Sequence, residues 1–196
     1  MSLEVTFGPM FSGKTTYLIE KINKIISVKN MNTKSYDSTK IYKGLIINSK
    51  NDSRKKSVFN VSTHSNITFD VTKHIKFVSV TKLSELDDIF MFDYNYVSID
   101  ESQFFEDLVP RVKKWLSFGK HIHCSGLISD INKNKFGTLL DLIPLADSVE
   151  QKKAICVKCK NGFNKGVFTK RKNNSSTELI LVSGKEDYYP VCGEHY

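Results

Sequence analysis

No apolar run in the chain approaches the roughly 20 residues that a membrane-crossing helix needs, so no bilayer partner is expected. Internal repeats and low-complexity tracts are also missing, which excludes repeat arrays and disordered spacers. Residues 1–10 carry Glu4 and no basic cluster, and an alternating apolar pattern begins almost at Met1. Neither a signal peptide nor a targeting extension is expected there, and the expected location is the cytoplasm. Cysteine is scarce, with four residues at 124, 156, 159 and 192. Cys124 lies in the apolar stretch Ile122-His123-Cys124 and reads as a free thiol in a buried strand. Acid is the minority charge, 21 Asp and Glu against 29 Lys and Arg, giving +8. The bases are scattered, from Lys21 and Lys24 through Lys113 and Lys114 to Lys170 and Lys172, so no dedicated nucleic-acid surface is expected. What is present is an ordinary globular composition, 40% hydrophobic and 26% charged over 196 residues, enough for one cored domain with a small appendage.

The most informative run is Gly8-Pro9-Met10-Phe11-Ser12-Gly13-Lys14-Thr15, which fits G-x-x-x-x-G-K-[ST]. An alternating strand, Leu3, Val5, Phe7, leads into it, and a helical pattern, Leu18, Ile22, Ile25, leads out. Glycines let such a loop turn its N–H groups toward phosphate oxygens, and the helix N-terminus adds positive potential. Lys14 supplies a mobile cation and Thr15 a hydroxyl for Mg²⁺. A nucleoside triphosphate site is expected.

The remaining pattern alternates strands and helices. Strands are predicted at 3–7, 44–47, 75–80, 96–99 and 120–124, and helices at 15–27, 82–90, 107–118 and 136–143. Residues 27–43 read as a long polar loop. The 82–90 helix is predicted to bury Leu83, Leu86, Ile89 and Phe90, and the 107–118 helix Leu108, Val112, Trp115 and Leu116, with Pro110 in its first turn. This order predicts an α/β fold, a P-loop parallel sheet flanked by helices, with ligand at the carboxyl ends of the strands. Residues 1–150 are assigned to a nucleotide-binding domain and 151–196 to a small zinc-binding lobe.

Two constellations carry further chemistry. The strand Val97-Ser98-Ile99 ends in Asp100-Glu101, where a P-loop enzyme places an acid that holds Mg²⁺. Alternation along a strand predicts that the two carboxylates diverge, Asp100 toward magnesium and Glu101 toward an acceptor hydroxyl. Exchanged duties, or two merely solvated acids, stay open. Cys156-x-x-Cys159 and Cys192-x-x-His195 have tetrahedral metal spacing, and four ligands make a closed, structural site. A disulfide or idle thiols stay open. Pinning both ends of residues 160–191 leaves a lasso loop able to fold over a bound substrate.

The run 8–15 resembles the phosphate loop of the cellular and poxviral (type II) thymidine kinases. Ile99-Asp100-Glu101-Ser102-Gln103-Phe104-Phe105 resembles their second signature, and Phe136-Gly137 with Leu142-Ile143-Pro144-Leu145-Ala146-Asp147-Ser148-Val149 a third. Thr169-Lys170-Arg171 and Tyr188 resemble the surroundings of their thymidine-binding loop. The resemblance implies ATP-dependent 5′-phosphorylation of thymidine and deoxyuridine, in nucleotide salvage, with Mg²⁺ and a structural zinc. It further implies a homotetramer and feedback inhibition by dTTP. By matched position it implies Glu101 as general base, Arg54 as the group steadying the phosphoryl in flight, and Asp52, Ser53 and Gln103 among the ATP-binding residues beside the loop 8–15. The implied nucleoside site comprises Met10, Phe104, Leu127, Ile131, Phe136, Thr169, Tyr188 and the stretch Leu179, Ile180, Leu181, Val182 and Ser183. The chain departs from the family pattern at Ile128, Ile131 and His195, which stand where an aspartate, an aromatic and a cysteine are expected. Two other classes fit the residues taken alone. One is another P-loop NTPase such as a nucleic-acid motor, although no second motor domain is evident. The other is a zinc module gripping nucleic acid under nucleotide control.

Overall fold

A computed structural model describes residues 1–32, 41–52, 73–160, 162–163, 165–172 and 187–196. Its centre is a six-stranded sheet in the order β3-β2-β4-β5-β1-β6. The strands are β1 (Ser2–Phe7), β2 (Gly44–Ser49), β3 (Ile75–Val80), β4 (Tyr96–Ile99), β5 (His121–Gly126) and β6 (Ser148–Gln151), and every pairing is parallel. All six carboxyl ends therefore share one rim.

Helix α1 (Lys14–Asn32) covers one face. Its Leu18, Ile19, Ile22 and Ile26 recur at helical spacing and bury against Ile46 and Tyr96. Helix α3 (Leu108–Ser117) covers the other face, where Leu108, Val112 and Trp115 pack with Leu3, Val5, Ile47, Val97, Ile99 and Ile122. Strands buried on both sides are continuously apolar, as at Leu45-Ile46-Ile47. Cys124 is a buried free thiol, as expected.

Three local expectations are corrected, and one strand is added. Residues 27–32 continue α1 rather than forming a loop. Asn30, whose polarity suggested a loop, accepts from the Tyr42 N–H at 2.8 Å and donates to its carbonyl at 3.0 Å, so a tertiary contact uses the side chain. The predicted helix 82–90 is a 3-10 turn (Leu83–Glu85) followed by α2 (Asp88–Phe92). Asp87 causes the break by accepting the Phe90 N–H at 2.7 Å as an N-cap, and Ile89 ends up 83% exposed. The predicted helix 136–143 is instead a 3-10 segment, Leu139–Leu145, containing Pro144. Leu139 and Leu142 are its buried residues, at the three-residue period of that helix, while Phe136 donates its N–H to the Ile128 carbonyl at 2.9 Å outside it. Finally, Ser148–Gln151 extends the sheet as β6, pairing Glu4 with Ser148.

Beyond β6 lie two small antiparallel pairs, β7 (Ala154–Ile155) with β8 (Lys165–Gly166), and β9 (Phe168–Arg171) with β10 (Tyr188–Val191).

Candidate active site

β1 delivers the chain to the rim at Phe7, and the loop turns back into α1 at Lys14. Gly8 permits that turn because a Cβ there would lie 2.2 Å from the Lys152 carbonyl oxygen. Gly13 holds φ at 78°, the left-handed region that favours glycine, and its missing Cβ would meet open space. Phe11 is also left-handed, at φ 64°. The Lys14 ammonium donates to the Pro9 carbonyl at 2.8 Å, and Ser12 Oγ donates to the same oxygen at 2.8 Å. The Met10 N–H is fastened from outside by Thr169 Oγ1 at 2.9 Å, which ties the loop to β9.

One strand, β5, separates β1 from β4. The register sets Ile99 beside Cys124, so Asp100 emerges at the level of the phosphate loop. Thr15 Oγ1 donates to Asp100 Oδ2 at 2.9 Å, and both side chains are buried. This bond brings together the hydroxyl and carboxylate that the sequence pairs around magnesium. Two oxygen donors at that spacing suit a hard divalent cation.

The adjacent carboxylate diverges for a reason other than strand alternation, a correction to the expectation. The strand ends at Ile99, and Glu101 adopts φ 50°, ψ 42°, a left-handed conformation that starts the 3-10 turn Ser102–Phe104. Glu101 is buried there, and Oε2 accepts from Gln103 Nε2 at 2.7 Å. Gln103, expected among ATP-binding residues, has its other amide atom, Oε1, bonded by the Leu127 N–H at 2.9 Å.

Several residues of the implied nucleoside site are brought together. Phe104 and Phe136 meet edge to face with centroids 5.7 Å apart, next to Leu127 at the end of β5. Thr169 reaches Met10 as above. Tyr188 is buried, and its Oη accepts from Arg171 Nη2 at 3.1 Å. A cavity of about 600 Å³ lies against this part, lined by Phe11, Ala154, Ile155, Tyr188 and Pro190 among others. The Ile131 carbonyl accepts from Tyr196 Oη. Asp52 is buried just past β2 and accepts from Asn48 Nδ2 at 3.2 Å. Ser53, Arg54 and Leu179, Ile180, Leu181, Val182 and Ser183 lie outside the described residues. Two residues the sequence reading did not single out join the site, Lys152 under Gly8 and Tyr196 on Ile131. Neither belongs to a motif, and only the fold places them.

The four metal-ligand candidates converge. Donor atoms of Cys156, Cys159, Cys192 and His195 all lie within 4.8 Å of one another. The Cys159 and Cys192 sulfurs are 3.7 Å apart, and His195 Nδ1 lies 3.8, 3.4 and 3.2 Å from the sulfurs of Cys156, Cys159 and Cys192. A zinc tetrahedron with thiolate and imidazole bonds near 2.3 and 2.0 Å has edges of about 3.8 and 3.5 Å, so these residues could hold such an ion. Burial pushes the Cys156 thiol up, but the N–H groups of Cys192, Lys158 and Cys159 outweigh it and bring it down to about 6, favouring thiolate.

A family model described as thymidine kinase matches residues 1–196. The thymidine kinase of Sheeppox virus (strain KS-1) is 31% identical over 194 residues, covering 99% of this chain and 96% of the relative. That of Choristoneura fumiferana entomopoxvirus is 33% identical over 196 residues, covering 98% and 94%. The cytosolic thymidine kinase of Bos taurus is 30% identical over 190 residues, covering 97% of this chain and 69% of the relative. With a family model matched over its whole length and relatives 30–33% identical across nearly all of it, the chain belongs to the thymidine kinase family.

Proposed function

We infer that the chain transfers the γ-phosphate of ATP to the 5′-hydroxyl of thymidine, and of deoxyuridine, yielding dTMP (or dUMP) and ADP for nucleotide salvage. The observation that carries this reading is the Thr15–Asp100 bond, which joins phosphate loop and strand-end acid at one rim, with Glu101 turned beside them. The backbone of residues 8–15 cradles the phosphates, and Lys14 moves from the Pro9 carbonyl to a phosphate oxygen. Thr15 and Asp100 would hold Mg²⁺, which supplies charge neutralisation on the β- and γ-phosphates when bound. Glu101 accepts the proton of the attacking hydroxyl, Arg54 steadies the phosphoryl in flight, and Asp52 and Ser53 belong to the ATP-binding residues. In a loose phosphoryl transition state, placement and charge stabilisation outweigh the strength of the base.

Met10, Phe104, Leu127, Ile131, Phe136, Thr169, Tyr188 and residues 179–183 form the nucleoside site in this reading. Residues 1–150 act as the nucleotide-binding domain and 151–196 as the zinc lobe, whose loop covers the nucleoside. Cys156, Cys159, Cys192 and His195 would hold a structural zinc. Inhibition by dTTP, a homotetramer and a cytoplasmic location complete the proposal. Among the described residues no helix is long and apolar enough to cross a membrane.

The test is incubation with ATP, Mg²⁺ and a panel of nucleosides, reading which acquires a 5′-phosphate. Phosphate on thymidine and deoxyuridine is the expected result; none on any pyrimidine deoxynucleoside overturns the reading.

A further inference from the structure

The amide of Gln103 is held at both ends. Its side chain is buried, Oε1 accepts from the Leu127 N–H at 2.9 Å, and Nε2 donates to Glu101 Oε2 at 2.7 Å. A main-chain N–H can only donate, so the amide oxygen must face Leu127 and the NH₂ must face Glu101. The usual ambiguity of an amide flip is thereby settled. An NH₂ also only donates, so the Glu101 oxygen it meets acts as the acceptor.

Two glycines grip the same residue. A Cβ on Gly126, at the end of β5, would lie 2.3 Å from Gln103 Oε1. A Cβ on Gly137, at φ 66°, would lie 2.4 Å from the Gln103 carbonyl oxygen. Both the amide and the backbone of Gln103 are thus walled in by segments remote in sequence.

We propose that Gln103 is the positioning residue for Glu101. It fixes the rotation of the carboxylate, keeps Oε2 a pure acceptor and sends the incoming proton to Oε1. This rests on the reading of Glu101 as proton acceptor. In the step served, the O–H bond of the nucleoside 5′-hydroxyl breaks and its proton passes to Glu101 Oε1. The freed oxygen pair bonds the γ-phosphorus as the bond from that phosphorus to the β–γ bridging oxygen breaks, and ADP leaves with that pair. The amide oxygen and one N–H are thus turned to Leu127 and Glu101.

The test compares kcat and KM for ATP and thymidine across acid and neutral pH in wild type, Gln103→Leu, Gln103→Glu and Glu101→Gln. The charged groups around the rim, Lys14, Asp52 and Asp100, stay unchanged in all of them. Gln103→Leu is expected to lower kcat about 10- to 100-fold, with both KM values within about twofold, because a misplaced group costs rate rather than affinity. Gln103→Glu keeps an acceptor for Leu127 but sets two carboxylates in contact, where they share a proton. Its acid limb in kcat is expected to move up by about one pH unit or more. If the leucine variant fails to fold, the isosteric glutamate variant carries the test, with its thermal midpoint reporting the fold. Wild-type kcat with an unmoved acid limb in Gln103→Glu overturns the proposal. So does a rise in KM for ATP alone, which would make Gln103 a phosphate contact. Near-normal turnover in Glu101→Gln overturns the reading of Glu101 and this proposal with it. Collapsed turnover there, with unaltered Gln103 variants, overturns only the positioning role.

Discussion

At Gly8 one added methyl group would collide with a backbone oxygen, that of Lys152, which has no flexible side chain to swing aside. Gly8→Ala must push the loop from the end of β6. It is expected to cost about 1–3 kcal/mol in urea unfolding and to weaken nucleotide binding; a wild-type midpoint would show that the two segments separate freely. Glu101→Ala is expected to retain nucleotide affinity and lose most turnover, as measured by calorimetric titration beside a phosphate-transfer assay. Normal turnover would refute its assignment as base. Arg54→Ala is expected to depress kcat more than it raises KM for thymidine, and a KM-only change would refute a transition-state role. The phosphate loop was legible residue by residue because its chemistry depends on spacing within eight consecutive positions. The left-handed turn at Glu101 was not legible. A non-glycine residue enters that region only when its surroundings hold it there, and here Gln103, Gly126 and Leu127 come from other parts of the chain or fold back onto it.

Among the elements, the sulfur-nitrogen cluster ties the ends of two short strands together. Cys156 and Cys159 follow β7, while Cys192 and His195 follow β10. Chelating the proposed zinc is expected to open residues 160–191 to protease before the central sheet, and unchanged cleavage would refute the pinning role. Tyr196, next to His195, packs its ring on Phe168 at 5.3 Å and bonds the Ile131 carbonyl. Tyr196→Ala should therefore loosen the segment carrying Ile131 and raise KM for thymidine about fivefold, one lost hydrogen bond's worth, with kcat nearly unchanged. The two ligand pairs were legible because each is a local x-two spacing. The ends of α1 and the 3-10 segments were not. Asn30 extends a helix through a bond to Tyr42, and Asp87 splits a periodic run by capping. In both cases a hydrogen bond outweighs the hydrophobic period.

At the scale of the whole molecule, a polar patch centred on His123 lies beside the apolar contact between α1 and the sheet. The ring is fully buried, Nε2 bonds Thr6 Oγ1 at 2.8 Å, and Tyr17 meets it edge-on at 5.8 Å. Burial, aided by Lys21 and Lys152 against Glu150, lowers its pKa from 6.5 to about 3. Between those values the unfolded chain carries a proton that the folded chain does not. The contribution to stability is therefore complete above 6.5 and is lost, at about 1.4 kcal/mol per pH unit, as pH falls toward 3. His123→Gln is expected to flatten that acid-side slope in urea midpoints taken over pH, and an equal slope in both proteins would refute it. The all-parallel sheet has a wider consequence. Its catalytic rim gathers every strand's finish, while the starting ends are knotted by Asn95 to Lys43, the Lys120 ammonium to the Tyr94 carbonyl at 2.6 Å, and Asp147 to the Leu3 N–H at 2.7 Å. Substitutions at that pole should shorten the protein's lifetime under heat while leaving each surviving copy fully active, so durability and chemistry are free to evolve at opposite ends.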